Sequence, residues 1–398
     1  MKIRLTALAA LLAVVACGGH NPETTRAGGY RLYEAAAPQN RGMVALIDTR
    51  SKAAQRHLPL GTPSPDWSHY YTVSSGSLLD IDPDSGTTLM RITLPGDYQL
   101  PPATSSGLPG GLSPNGQWLV LQRFDSSSHL LVIDTNFVMQ PRPIELPGHF
   151  QFDAISNDGE RVYLIQSIGG GEYHVRDYNM STASLDPNFI VDKNEGGEAM
   201  SGLRLTGVAS HDGAWLFSVY ARAHKGAFIH ALSLDGPFAL CLDLPGTGFE
   251  DGSQASLDWS LALSPDGNRL YATNPAMGVV VEFLVGGQAA SRGRIATVAE
   301  PSTVRPAGGV VARDNHTLAI AGSTGVDWLD TRSLTTVAQA LPGWTVRSLA
   351  ISPDGKTLYA VDDKGMVAEL SMATHTVTST FDPNVSDPIA LMRVEALP

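Results

Sequence analysis

The chain reads as an all-β protein, a single β-propeller of four-stranded blades. Repeat counting predicts eight blades, with seven as the alternative, in a ring closed by pairing of the N- and C-terminal strands. Three observations lead there. A short phrase recurs, as in "LSPNGQWLVLQ", "ISNDGERVYLIQ", "LSPDGNRLYATN" and "ISPDGKTLYAVD". Its copies stand 40 to 54 residues apart, the length of one four-stranded blade. Finally, 40 Gly and 26 Pro in 398 residues supply many turns, and 17% charged residues are too few to cover an open sheet.

The phrase marks the turn between the first and second strands of a blade. Aligned on its turn residue, it occurs at Asp66, Asn115, Asp158, Asp212, Asp266, Asp314 and Asp354, with spacings of 49, 43, 54, 54, 48 and 40 residues. An apolar run ends at Ser; Pro then presets φ, the Asp side chain caps its own backbone, and Gly takes the positive-φ position. Runs such as "TLYAVD" and "WLFSVY" form the second strand. The third is read from "MVALIDTRS", "SLLDIDPDSG", "LLVIDTNF" and "GVDWLDTRS", each ending in a turn. The fourth closes on "LPLG" or "LPG", at Gly61, Gly96, Gly148, Gly246 and Gly343.

Six repeats, from Asn115 to Asp354, are read as complete, and residues 30–36, 43–49, 55–60, 69–74, 77–82 and 88–94 add six candidate strands. "DPIALMRVEA" at 387–396 is a first strand with no Asp turn after it. It should pair beside the N-terminal strands, which removes the free sheet edges.

The N-terminus divides off from the ring: residues 1–16 read as a lipoprotein signal peptide, 17–29 as a lipidated Cys and flexible tether, and 30–398 as the propeller. "MKIR" is a positive start, and "LTALAALLAVVA" is an apolar run too short for a bilayer span, which takes roughly 20 residues. "VVACGG" resembles the lipobox of bacterial lipoproteins, although the consensus favours Leu where Val14 stands. The resemblance implies that Cys17 is lipidated and holds the protein on an extracytoplasmic membrane face of a bacterial cell envelope; an ordinary secretory signal is the alternative. Cys17 and Cys241 are the only cysteines, so lipidation leaves no disulfide, and Cys241 in "FALCLDLPG" reads as a buried, inert thiol.

Taken together, the Asp-turn phrases followed by "LYA", the "VALIDT" strands and the "LPG" closures resemble the YVTN-type surface-layer and lactonase-like propeller families over residues 30–398. They are also similar to the propeller domain of the Tol-system periplasmic protein. The resemblance implies a binding platform, and a few such propellers are lactonases or metal-dependent hydrolases. The expectation is a lipid-anchored, monomeric propeller that binds a protein, glycan or small ligand, without catalysis and without a cofactor. The alternative is an extracytoplasmic hydrolase or lactonase using Ca²⁺ at an acidic site in the channel mouth. With 27 Lys+Arg against 39 Asp+Glu the net charge is −12, which argues against a nucleic-acid partner.

Motifs that carry chemistry are few. The chain has no H-E-x-x-H, P-loop, G-x-S-x-G or paired-Cys zinc pattern. "DIDPDSG" spaces Asp80, Asp82 and Asp84 like the start of an EF-hand loop. Ser85 stands where that loop needs Gly, however, and Arg91 where it needs Glu, so the segment reads as strand and turn. The repeated Asp residues read as turn caps. Function is expected on the opposite rim, in the loops joining one blade to the next: 97–110, 192–202 and 247–258. The last two carry Glu195, Glu198, Glu250 and Asp251, candidates for a cation or basic-ligand site, and Trp344 and Arg347 are candidates for the same face.

Overall fold

The computed structural model describes residues 28–398 apart from 104, 106, 126, 193–198, 253, 287–288, 298–307 and 323. The expected signal peptide, Cys17, most of the tether, and Glu195 and Glu198 lie outside the described residues. Eight antiparallel sheets follow one another along the chain, and no α-helix occurs among the described residues. The protein is an eight-bladed β-propeller.

Blade 1 is the closing blade. Its strands Tyr30–Ala36, Met43–Asp48 and Ala53–Pro59 are joined on the inside by the C-terminal strand Pro388–Ala396. That ladder runs from Tyr30 opposite Ala396 to Ala36 opposite Pro388, with a register shift between Tyr33 and Glu34. Blades 2 to 8 then take residues 62–93, 112–146, 150–190, 203–243, 260–297, 309–340 and 346–381 in order. The first strand of blade 2 is only Thr62–Pro63, and that of blade 3, expected to be complete, shrinks to a single bridge between Leu112 and Leu119. Pro63 and Pro65 in one, and Gly110 and Gly111 in the other, explain the shortening: Pro lacks the ladder donor and Gly gives the strand nothing to pack.

The recurring turn is a small hydrogen-bonded unit. In six copies the Ser hydroxyl donates to the Asp or Asn side chain at 2.5–2.7 Å. The same hydroxyl accepts the N–H five residues on, at 2.9–3.0 Å. The Asp or Asn oxygen accepts the N–H two residues on, so three polar groups of a tight reversal are satisfied locally. Five turns place Gly at φ near +70°; Trp67 and Asn315 hold a left-handed φ in the other two.

Between blades the core is apolar and layered. Tyr33, Tyr71, Tyr163, Tyr271 and Tyr359 recur at one position of the second strand, and each is at most 2% exposed. The seam closing the ring packs Leu32, Ile47, Leu391 and Val394 against Tyr359, Val361 and Phe381 of blade 8.

Candidate functional site

Antiparallel strand order assigns every turn to a rim. First-to-second and third-to-fourth turns share one rim with the repeated Asp residues; second-to-third hairpins and blade connectors share the other. On that second rim the 97–110 connector crosses from blade 2 towards the far side of the channel, where the Ser105 N–H donates to Leu205 O on the inner strand of blade 5 at 3.0 Å. With inner-strand residues of blades 2 to 5, this loop lines a cavity of about 230 Å³ in the channel. The channel mouth is thus occupied by the protein's own chain.

A larger cleft lies farther out on the same rim. It measures about 1020 Å³ and is lined by three sets of residues. The blade 4 hairpin contributes Gly170, Gly171 and Glu172; the connector into blade 5 contributes Val191, Asp192 and Met200–Leu203; and the blade 5 hairpin contributes Arg222–Lys225. Phe228, Cys241, Phe249 and Glu250 complete it. The connector 247–258 is laced to the blade 5 hairpin by Phe249 N–H to Arg222 O and Glu250 N–H to Ala223 O, at 3.0 and 2.9 Å. Gly248 permits this approach, because a Cβ there would sit 2.0 Å from Ala223 O.

Charge at the cleft is ordered by this lacing. His224 faces Asp251 through Nδ1 at 3.0 Å and Glu250 through Nε2 at 3.4 Å, and these two carboxylates raise its pKa, Asp251 foremost. His224 thus bridges the blade 5 hairpin to the 247–258 connector, with a hydrogen bond to Asp251 and an ion-pair contact to Glu250. The Arg222 guanidinium donates to Gly226 O and to Asp243, and it lies 4.7 Å over the Phe228 ring. Lys225 and Glu172 are exposed.

Behind the cleft floor runs a buried polar layer between blades 4 and 5. Ser218, His230 and Cys241 lie opposite one another on three adjacent strands. His230 is 1% exposed, its Nε2 has no hydrogen-bond partner, and burial lowers its pKa to about 4. Burial also raises the Tyr173 and Tyr220 phenols, so these groups are neutral at neutral pH. The charges in this layer are the Arg204–Asp153 pair at 2.7 Å, on the channel side. Cys241 is half-buried and lines the cleft, more accessible than its apolar sequence setting suggests.

Of the expected site residues, Glu250 lines the cleft and Asp251 braces it through His224. Trp344 and Arg347 share the rim but belong to the start of blade 8, where Trp344 packs against the blade 7–8 core, so they do not join this cleft. Glu172, Arg222, His224 and Lys225 were not singled out as ligand-face residues. Their signal was positional: each sits in a second-to-third hairpin, which shares the rim of the connectors. Among the described residues no three His, Cys, Asp or Glu side chains converge as a metal site.

No protein-family model matches the chain, and no curated protein does. Many solved structures are similar in shape. The dihydro-heme d1 dehydrogenase NirN, in complex with DHE, aligns at TM-score 0.57 and 11% identity over 93% of this chain and 75% of its own. AztD from Citrobacter koseri aligns at TM-score 0.57 and 11% identity, over 93% of this chain and 98% of its own. The Pseudomonas aeruginosa periplasmic gluconolactonase PpgL aligns at TM-score 0.50 and 16% identity over 93% and 100%. At such identities the likeness is one of fold, and it places this chain among the β-propellers.

Proposed function

We propose that the protein is a lipid-anchored, extracytoplasmic binding propeller whose ligand occupies the cleft over blades 4 to 6. The observation that carries this reading is the cleft itself, about 1020 Å³ and built from unrepeated connectors and hairpins on a rigid ring. A propeller binds by holding such loops in fixed relation, and here backbone hydrogen bonds and the His224 bridge do so. The described chain enters the ring at Gly28–Tyr30, on the Asp-turn rim, with the Tyr30 phenol near Asp354. An anchor at Cys17 would therefore attach on the rim opposite the cleft.

The hydrolase or lactonase alternative needs three or more converging oxygen ligands.

The test is a thermal-shift and native mass-spectrometry screen of residues 18–398 against cationic, neutral and anionic small molecules, short peptides and oligosaccharides. Binding is expected from at least one class, and Ser201→Trp, which fills the cleft, should abolish it. Hits that survive Ser201→Trp would move the site elsewhere, and lactone hydrolysis lost in Glu250→Gln would favour the enzyme. For the anchor, Cys17→Ser should release the full-length protein from membranes; unchanged fractionation overturns lipidation.

A further inference from the structure

We infer that the cleft ligand is a short basic peptide segment with apolar residues beside its Lys or Arg, supplied by a partner protein. This rests on the cleft being the binding site. The argument begins with charge. Among the described residues four carboxylates, Glu172, Asp192, Glu250 and Asp251, stand at the cleft against two cationic side chains, His224 and Lys225. Arg222 is neutralised by Asp243, one face of its guanidinium lies over Phe228, and its Nε–H donates to Gly226 O. Even with His224 protonated, the described residues of the cleft keep an excess of two negative charges, on a protein whose net charge is −12. An anionic ligand would meet like charge, whereas a cation gains from it.

Surface chemistry selects among cations. Val191, Met200, Leu203 and Phe249 give the cleft apolar wall, and Leu203 is 55% exposed, with Ile168 at 45% on the neighbouring hairpin. A bare metal ion or a compact amine would leave this wall wet. The volume stands at the upper end of pockets that hold a drug-sized molecule, room for a chain of several residues. The wall also offers peptide backbone without side chains, at Gly170, Gly171 and Gly202. A ligand with its own main chain can hydrogen-bond there. Burial of apolar side chains against the apolar wall would supply affinity, and the carboxylates would select the charge and speed the encounter.

Fluorescence anisotropy on residues 18–398 with three labelled hexapeptides tests this: alternating leucine–lysine, leucine–glutamate and serine–lysine. The leucine–lysine peptide should bind at least about tenfold tighter than either of the others, and raising the salt should weaken it. Glu172→Gln with Glu250→Gln should cost it about tenfold or more, with little change in melting temperature. Equal binding of the leucine–glutamate peptide overturns the charge argument, and equal binding of the serine–lysine peptide overturns the apolar one. Leucine–lysine binding unchanged by the double substitution would show general attraction to an acidic protein and overturn the assignment to this cleft. If Ser201→Trp blocks an oligosaccharide while none of the peptides binds, the binding function stands and this ligand class falls.

Discussion

Glu34 is a carboxylate that the fold buries without a partner. It is fully buried in the second strand of blade 1, and neither of its oxygens has a hydrogen bond. It stands where the closing ladder shifts register, opposite Leu391, whose freed N–H is taken by the Ser348 hydroxyl of blade 8 at 2.7 Å. Burial, and secondarily the nearby Asp362 carboxylate, raise its pKa from 4.5 to about 8. The folded state therefore holds a proton that the unfolded chain gives up. Between those two values stability falls as pH rises, and above about 8 the penalty is complete. Glu34→Gln keeps the shape and removes the titration. It should match the parent near pH 4 and be more stable at pH 8 to 9 by up to about 5 kcal/mol. Urea unfolding of both proteins across that range checks it; parallel pH profiles would show that Glu34 is paired or solvated in solution.

The repeated turn behaves in the opposite sense. Asp66, Asp158, Asp212, Asp266 and Asp354 all have lowered pKa values, and that of Asp66 falls to about 2 through the Ser64 hydroxyl and the Ser68 N–H. Their contribution is present above the unfolded value and lost as pH falls through the folded one, so the turns weaken together in acid. Asn115 performs the same capping without a charge, which separates the hydrogen bond from the carboxylate. Asp354→Ala should cost about 1–2 kcal/mol in urea unfolding at pH 7, and Asp354→Asn clearly less. Equal losses would mean that charge, and not geometry, matters.

These turns were legible in the sequence because each unit is local: a Ser and an Asp or Asn two residues on close their hydrogen bonds within six consecutive residues. What is not local was harder to read. Thr62–Pro63 is too short to announce a strand, and the bridge at Leu112 had the phrase but not the ladder. At the candidate site, the acidic connectors were visible, yet nothing along the chain says that 247–258 is laced to the hairpin at 222–226. Trp344 and Arg347 matched the connectors in rim but not in azimuth, since blade 8 stands three blades further round.

Ring closure is the event on which the other blades depend. Seven blades are made from consecutive strands, but blade 1 is completed only when Pro388–Ala396 joins Tyr30–Ala36, more than 350 residues away in the chain. That strand completes two ladders' worth of burial: it pairs with Tyr30–Ala36, and its Leu391 and Val394 enter the seam with blade 8. Further backbone bonds, Ala37 N–H to Asp387 O and Leu397 N–H to Gly29 O, fasten both ends of it. Without it, the inner edge of Tyr30–Ala36 is an unpaired strand beside an exposed apolar wall, a template for association between molecules. A protein ending at Asp387 should therefore elute as larger species than the full-length chain in size-exclusion chromatography and unfold at lower urea. A synthetic 388–398 peptide added during refolding should restore part of both. An unchanged elution volume with an unchanged unfolding midpoint would show that seven blades hold the ring without the closing strand.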